Sequence, residues 1–290
     1  MTALLYYPGC SLEGTASAYD VATRTFLTAM NMAFNEIEDL TCCGATAAET
    51  VSPLLAMSLA ARNLALSEKQ HSSSELLVPC SACYLNLKRA QEKIRTSPQI
   101  QADINRVLAP EHLKCQGKVE VRHLLDVLKN QMDLQQFKGL VSRPLKELVV
   151  APYYGCQCLR PFSVFDDPEQ PVSMEPLITA AGARIHTWNM GAKCCGASHM
   201  NTKMDVGIQL SGAILSAAQG ADVIVTVCPM CQMNLEAYQK KISRRQGRDL
   251  SIAILYLPQL LGWAMGLDKK ALGLDLNLAI HGKIAEIMGE

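Results

Sequence analysis

Short apolar runs alternate along the chain with longer stretches in which apolar residues recur every three or four positions. The first pattern predicts strands, and the second predicts amphipathic helices. Strands are expected at 3–7, 34–37, 75–78, 148–154, 183–188 and 223–227, and helices at 16–32, 49–70, 174–181 and 203–219. Alternation of this kind is typical of an α/β unit with a small, mostly parallel sheet flanked by helices.

The same order of elements occurs twice, and ten cysteines repeat with it. In each half a cysteine after a glycine is followed by a Cys-Cys-Gly and then by a Cys-x-x-Cys. The first cysteine set is Cys10, Cys42, Cys43, Cys80 and Cys83, and the second cysteine set is Cys156, Cys194, Cys195, Cys228 and Cys231. The flanking residues also match, CCGATAAE with CCGASHMN and CSACYLNL with CPMCQMNL. This regularity indicates an internal duplication.

The duplication predicts two pseudo-symmetric domains. A boundary near 141–146, after a polar stretch, divides the chain into a first domain at 1–140 and a second at 141–290. The second domain ends in a tail, 269–290, whose amphipathic pattern predicts a helix that packs against the rest and forms no site.

Composition excludes several classes of protein. The 27 basic residues balance the 27 acidic ones and aromatic residues make up only 5%, so neither net charge nor base stacking favours nucleic acid as a partner. The N-terminus lacks the pattern of a secretory signal. The longest apolar stretch, 252–267, is interrupted by Pro258 and is too short for a membrane span. We expect a soluble, cytoplasmic protein.

Twelve cysteines are many for a cytosolic chain, and they favour metal binding or redox chemistry over disulfides. Every cysteine of the two sets is predicted to lie at a strand-to-helix junction, where ligands of parallel sheets gather. A Cys-x-x-Cys that opens a helix directs two sulfurs to one point, whereas adjacent cysteines diverge and suit two different irons. Gly44 and Gly196 allow backbone N–H groups to approach such a cluster.

The number of cysteines distinguishes between metals. Structural zinc and a cubane [4Fe–4S] cluster each take four protein ligands, but each half offers five cysteines. Either one thiol in each half is idle or the cluster is not a simple cubane. Because a fifth cysteine is present at the same place in both halves, the second alternative is favoured. The closely spaced cysteine run of bacterial ferredoxins is absent.

The pattern resembles the CCG-domain family and, within it, the B subunits of heterodisulfide reductases. The resemblance spans nearly the whole chain, including PYYGC-x-x-x-RP at Cys156 and DDPEQP downstream. It implies that each cysteine set binds a non-cubane [4Fe–4S] cluster and that a disulfide is reduced between the clusters, or thiols or a persulfide oxidised in reverse, as part of sulfur metabolism. It also implies two partners, the iron–sulfur C subunit together with the flavin-bearing A subunit.

Two other functions stay open. CCG domains also pass electrons or contact membrane partners in glycolate, lactate and succinate oxidoreductases, and this would make the chain an electron-transfer subunit. The absence of a fused ferredoxin segment or flavin domain from this sequence favours the disulfide-handling subunit. The third function is a scaffold with two structural zinc sites, which leaves the adjacent cysteines unexplained.

A few residues near the cysteine sets have two interpretations each. His199 is a proton donor or a substrate contact, or else it lies behind the site or on the surface. Arg160 binds an anionic substrate group or pairs with an acid. Cys158 could replace Cys156 as a ligand, although alignment with the first half favours Cys156. Cys115 is expected to be a packing or surface thiol, and His123 a core or helix-start residue.

Overall fold

Two four-stranded sheets, one from each half of the chain, form the frame of the computed structural model, which describes residues 3–45, 47–70 and 75–289. The strand order is β2-β1-β3-β4 in the first sheet and β6-β5-β7-β8 in the second, and every pairing between these strands is parallel. The strands are β1 (Leu4–Tyr6), β2 (Phe34–Glu36), β3 (Glu75–Val78), β4 (Glu120–His123), β5 (Val149–Tyr153), β6 (Arg184–Ile185), β7 (Val223–Thr226) and β8 (Ala253–Tyr256).

Helices connect the strands in both halves. In the first half they are α1 (Gly9–Glu13), α2 (Ser17–Ala29), α3 (Ala47–Val51), α4 (Pro53–Gln70), α5 (Ser81–Thr96), α6 (Pro98–Leu108), α7 (Leu124–Gln131) and α8 (Leu134–Leu140). In the second half they are α9 (Glu175–Ala180), α10 (Met204–Ala217), α11 (Pro229–Ala237), α12 (Gln239–Gln246), α13 (Leu257–Ala264) and α14 (Gly282–Met288). The predicted α/β fold of duplicated, parallel sheets is confirmed, while the domain boundary at 140/141 stays a prediction.

Three details of the sequence prediction need correction. The helix expected at 49–70 is two helices, because Pro53 disfavours a helical conformation at the preceding Ser52. The fourth strand of each sheet, β4 and β8, was not predicted. A helix over the whole tail is wrong, since only α14 and a short 3₁₀ turn at Leu274–Leu276 are helical there.

The tail nevertheless packs against the first half, as expected. The Asp268 carboxylate accepts hydrogen bonds from the backbone N–H groups of residues 270 and 271, which fixes a turn at the start of the tail. Leu272 and Leu274 are buried, and the Thr25 hydroxyl on α2 donates to the carbonyl oxygen of Ala271 at 2.7 Å. The C-terminal segment therefore ties the second half to helix α2 of the first.

Two aromatic stacks join the halves in a reciprocal way. Tyr19, nine residues after Cys10, stacks on Tyr256, with ring centroids 4.2 Å apart and planes 3° from parallel. Phe165, nine residues after Cys156, stacks on His123 at 5.9 Å with the same 3° angle. Tyr256 is the last residue of β8 and directly precedes α13, and His123 is the last residue of β4 and directly precedes α7. Each half thus contributes the same two positions of the repeat to the interface. His123 is buried and precedes α7, so its prediction as a core or helix-start residue is confirmed.

Phe26 is a core residue that fixes helix α2, and its truncation tests the stability of the fold. Its side chain is fully buried and meets Phe137 of α8 edge-on at 6.1 Å. We expect Phe26→Ala to lower the free energy of unfolding by about 3–5 kcal/mol, because burial and ring packing are lost and a cavity remains. Val107→Ala on the exposed side of α6 should cost within about 0.5 kcal/mol. Equilibrium denaturation in urea measures the free energy of unfolding of both variants. Equal losses of stability would contradict the assignment of Phe26 as a core residue.

Candidate functional site

Both cysteine sets lie at the carboxyl ends of neighbouring parallel strands. In the first half, Cys10 follows β1 in helix α1, Cys42 and Cys43 follow β2, and Cys80 is the N-cap residue of α5 after β3. Because β1 lies between β2 and β3, the three segments meet at one edge of the sheet. The second half repeats this arrangement at β5, β6 and β7. The predicted placement of the cysteines at strand-to-helix junctions is confirmed.

The sulfurs of the first cysteine set are in close contact. The Sγ atoms of Cys10 and Cys42 are 3.5 Å apart, and those of Cys43 and Cys83 are 3.3 Å apart. Cys42 is within hydrogen-bonding reach of Cys43, and Cys80 of Cys83, so the five thiols form a continuous chain of contacts. Cys10 and Cys42 are exposed, whereas the other three are buried. The set therefore has one open end and one closed end.

The second cysteine set has the same form. The Sγ atoms of Cys195 and Cys231 are 3.6 Å apart, and the latter thiol also contacts Cys228. Cys156 is within hydrogen-bonding reach of Cys194. Cys194 is exposed and Cys156 half-buried, while the remaining three are buried. The structure thus brings together all ten cysteines that the sequence selected, as two sets of five.

Glycine before the first cysteine of each set is a steric requirement. Gly9 and Gly155 both have φ +71°, and a Cβ atom there would lie 2.9 Å from the Sγ of Cys83 and Cys231, respectively. Such a contact is closer than van der Waals radii allow. Only glycine leaves room for the buried sulfur at these positions.

The Cys-Cys-Gly turns direct a backbone donor toward sulfur. Gly44 and Gly196 both have φ +77°, and their N–H groups donate to the Sγ of Cys42 at 3.4 Å and of Cys194 at 3.3 Å. Glycine adopts this left-handed backbone conformation without the steric cost that other residues incur. The close N–H approach that was expected at these turns is present.

Two tyrosines that the sequence analysis missed hold the Cys-Cys turns against the sheets. The Tyr7 hydroxyl donates to the carbonyl oxygen of Thr41 at 2.8 Å, and the Tyr153 hydroxyl donates to that of Lys193 at 2.7 Å. Each tyrosine stands three residues before the first cysteine of its set, and each acceptor directly precedes the adjacent pair. Their equal positions in YYPGC and PYYGC were the signal that could have revealed them.

Two asparagines, also missed, tie the Cys-Cys turns to the helices that follow the Cys-x-x-Cys segments. The side-chain amide of Asn86 on α5 donates to the carbonyl oxygen of Cys43, and that of Asn234 on α11 donates to the carbonyl oxygen of Cys195 at 2.7 Å. Both asparagines follow the last cysteine of their set by three residues. The two asparagines occupy the same position in the repeated segments CSACYLNL and CPMCQMNL, and this match is the sequence signal that could have identified them.

Proximity of the thiols makes some of them much stronger acids than others. Hydrogen bonds from Cys42 and Cys83 lower the pKa of Cys43 to about 4. A hydrogen bond from Cys156 likewise lowers the pKa of Cys194 to about 6, and it raises the pKa of Cys156 itself. Thiolate is the form of cysteine that ligates metal. In each set, hydrogen bonds between neighbouring thiols stabilise that form at some cysteines and raise the pKa of others, such as Cys83 in the first set and Cys231 in the second.

His199 and Arg160 both act on the exposed end of the second set. Each lies close enough to lower the pKa of Cys194 through its positive charge, after the larger effect of Cys156. His199 is exposed, in the 3₁₀ turn Ala197–His199. Arg160 donates to the Glu169 carboxylate at 2.9 Å and to the carbonyl oxygen of Ala192 at 2.6 Å. Of its two predicted roles, Arg160 therefore fulfils the pairing with an acid, beside the cysteine set.

The two remaining cysteines lie apart from the chains of sulfur contacts. Cys158 is buried and its thiol donates to the carbonyl oxygen of Tyr154 at 3.3 Å, so Cys156, and not Cys158, is the thiol beside Cys194. Cys115 is a buried packing thiol, whose N–H donates to Asn105 at 2.8 Å. Burial raises the pKa of both thiols to about 12, which keeps them neutral.

The donor chemistry of the two cysteine sets fits an iron–sulfur cluster. Across the described part of the chain, no three or more His, Cys, Asp or Glu side chains are arranged around the position of one metal ion. Each set places two adjacent cysteines between its first cysteine and its Cys-x-x-Cys, with a glycine N–H beside the pair. The divergence expected for adjacent cysteines is not seen in the first half, where Cys42 lies within hydrogen-bonding reach of Cys43. Soft thiolate ligands that reach separate irons are the requirement of an iron–sulfur cluster.

The chain belongs to the cysteine-rich CCG domain family, whose model matches residues 4–88 and 150–236. Both matched segments contain one complete cysteine set. The duplication and the family resemblance deduced from the cysteine pattern are therefore confirmed.

Relatives extend over almost the whole chain. The 8-methylmenaquinol:fumarate reductase membrane anchor subunit of Wolinella succinogenes is 33% identical over 277 residues, which cover 94% of this chain and 95% of the relative. The B subunit of the ferredoxin/F(420)H(2)-dependent CoB-CoM heterodisulfide reductase of Methanosarcina acetivorans is 28% identical over 286 residues, which cover 96% of this chain and 94% of the relative.

Within residues 3–45, 47–70 and 75–289, no helix has the length and apolar character needed to cross a membrane. Family and relatives together support an oxidoreductase subunit of the iron–sulfur type.

One solved structure shares the fold. A hypothetical protein from Helicobacter pylori superimposes with a TM-score of 0.78 at 17% identity, covering 97% of this chain. The chain spans about half of that protein, 52% of its length.

The steric role of Gly155 can be tested by adding one methyl group. We expect Gly155→Ala to displace the Cys231 sulfur and to reduce the iron and acid-labile sulfide bound after anaerobic reconstitution to about half of the wild-type content, because only one of two centres is affected. Gly247→Ala is the matched control, since Gly247 also has positive φ, +65°, but nothing lies within 4 Å of its added Cβ. Equal cluster loss in both variants would show that backbone strain, and not contact with sulfur, is responsible.

Proposed function

We propose that this chain is the disulfide-handling iron–sulfur subunit of a heterodisulfide-reductase-like complex, with one non-cubane [4Fe–4S] cluster held by each cysteine set. The observation that carries the proposal is the convergence of five thiols at the carboxyl end of each sheet. They are in contact throughout the first set, and in the second they form a Cys156–Cys194 pair and a Cys195–Cys231–Cys228 group. The more exposed end is formed by Cys10 and Cys42 in the first set and by Cys156 and Cys194 in the second. A duplicated pair of equal centres suits a reaction that needs two electrons.

Cleavage of a disulfide consumes two electrons and two protons and yields two thiols. An iron–sulfur cluster supplies electrons one at a time, so two clusters together match the requirement. The protein's own contribution is to hold five thiolates per centre, to exclude water from the closed ends, and to leave the outer cysteines accessible. The same arrangement would serve oxidation of two thiols or of a persulfide in the reverse direction.

Positive charge favours the second set as the point where substrate sulfur arrives. His199 and Arg160 lie beside Cys194, and cationic side chains stabilise a thiolate or a carboxylate that approaches them. The proposed role of both residues is therefore to attract and orient an anionic thiol substrate. Neither needs to donate a proton for this purpose.

The proposed complex contains further subunits. Relatives named as B subunits support the presence of partner subunits. We propose that these are the two subunits that the family resemblance implies, the iron–sulfur C subunit and the flavin-bearing A subunit, which would bring the electrons. We propose a cytoplasmic location for this chain, with any attachment to a membrane made through its partners.

A second function has support of its own. The relative with 33% identity is named as a membrane anchor subunit of a fumarate reductase, which favours the electron-transfer alternative of the succinate type. In that case the two centres would pass electrons between partner subunits without binding a disulfide.

The test that separates the two functions is to titrate the anaerobically purified protein with thiols and disulfides and to record its electron paramagnetic resonance spectrum. A new signal that requires the thiol supports the disulfide function, and an unchanged spectrum supports electron transfer.

Cluster content separates both redox functions from the zinc scaffold. Two four-iron clusters give about eight irons per chain together with acid-labile sulfide. Anaerobic purification followed by iron, sulfide and zinc assays should therefore find iron and sulfide in equal amounts. Two zinc ions without sulfide would overturn the proposal and support the scaffold.

Removal of one central cysteine should disable one centre while the fold persists. We expect Cys43→Ala or Cys195→Ala to abolish disulfide turnover and to lower bound iron to about half, because each residue joins the middle of one set. Cys115→Ala is the matched control, a buried cysteine outside both sets, and should keep full iron content. Circular dichroism checks the fold, and normal turnover in either of the first two variants would contradict the assignment.

A further inference from the structure

One buried hydroxyl lies between the two cysteine sets. The Tyr19 hydroxyl is 3.3 Å from the carbonyl oxygen of Pro79 and 3.3 Å from that of Val227, and it donates to this pair of acceptors. Pro79 directly precedes Cys80, and Val227 directly precedes Cys228. The two carbonyl groups therefore belong to different halves and occupy the same position in the repeat.

Two more donors of the first half surround these carbonyl groups. The Ser81 hydroxyl donates to the carbonyl oxygen of Val227 at 3.1 Å, and it lies 3.1 Å from Nε2 of His123. His123 accepts the N–H of Leu125 at Nδ1, so the proton of the neutral ring is on Nε2, where it donates to Ser81. Burial lowers the pKa of His123 to about 4, which keeps the ring neutral.

The surroundings of the Tyr19 hydroxyl exclude water. Tyr19 is fully buried, and its ring is covered by the stacked ring of Tyr256. Burial, more than any other effect, raises the pKa of Tyr19, and Cys80 and Cys228 both add to the shift. The Tyr19 hydroxyl is thus a polar group in a medium of low dielectric constant, one peptide group away from both Cys80 and Cys228.

We propose that the Tyr19 hydroxyl, through the carbonyl groups of Pro79 and Val227, sets the reduction potentials of both centres together. This inference rests on the proposed function, since it requires a cluster at each cysteine set. Tyr19 acts as a positioning residue, because it reaches the centres only through the peptide groups before Cys80 and Cys228.

The direction of the effect follows from electrostatics. Each carbonyl oxygen carries partial negative charge close to a cysteine ligand, and the Tyr19 O–H dipole offsets part of it. Without the hydroxyl, both oxygens lose this compensation, although Ser81 still donates to Val227, and their partial negative charge disfavours an added electron nearby. Both potentials should then become more negative.

The experiment is a redox titration of wild-type protein and Tyr19→Phe, followed by electron paramagnetic resonance. Phenylalanine keeps the stack on Tyr256 and removes only the hydroxyl. We expect both midpoint potentials to shift in the negative direction, with unchanged iron content. A shift of only one centre, a positive shift or no shift would overturn the inference.

Matched variants separate this shared effect from a local one. Asn86→Ala and Asn234→Ala remove a hydrogen bond from one Cys-Cys turn each, so each should shift the centre of its own half alone. Tyr256→Phe removes the hydroxyl of the other stacked ring, which donates to Gln232 of the second half at 3.2 Å, and should leave the first centre unshifted. Joint shifts in these variants would show that any nearby substitution has the same effect and would overturn the inference.

Ser81→Ala provides a second test if Tyr19→Phe fails to fold. Ser81 belongs to the first half but donates to Val227 of the second, so its loss should shift the second centre in the negative direction. An unshifted second centre would count against the shared link. Wild-type protein without two clusters would overturn the proposed function and this inference together, whereas two intact clusters with no shift in either variant would overturn only the inference.

Discussion

The parallel arrangement of three neighbouring strands is the constraint on which the rest of this structure depends. Segments that are far apart in the chain end at the same edge of a sheet only if their strands run in the same direction. In the order β2-β1-β3, the three cysteine-bearing segments of the first half become neighbours in space although Cys10 and Cys80 are 70 residues apart. The second sheet repeats the order, and five thiols converge there for the same reason.

Close convergence of sulfur requires support from residues that carry no sulfur. Gly9 and Gly155 provide space for a buried thiol, and the hydroxyl groups of Tyr7 and Tyr153 anchor the turns that present the Cys-Cys pairs. These contacts hold the thiols in position before any cofactor is bound, which reduces the conformational entropy lost on binding. The cysteine sets are thus products of the sheet and of the repeat around it.

Much of this arrangement could be predicted from the sequence, because apolar periodicity and the repeated cysteine pattern are local signals. The strands, their parallel direction and both cysteine sets are of this kind. The fourth strands were missed because β4, which reads EVRH, alternates weakly and lacks a turn signal before α7. The contact between Tyr19 and Tyr256 could not be predicted, since it joins residues 237 positions apart and depends on how two sheets pack.

Duplication made the two cysteine sets equal in sulfur but not in charge. At the positions of Arg160 and His199, four and five residues beyond Cys156 and Cys194, the first half has Gly14 and Ala47. His199 and Arg160 therefore add positive charge beside the exposed end of the second set, where they help to lower the pKa of Cys194. In an otherwise neutral protein such a local field attracts anions to one side of a symmetric frame. The repeat supplies two cysteine sets that are alike in sulfur, and these two positions give them different electrostatic surroundings.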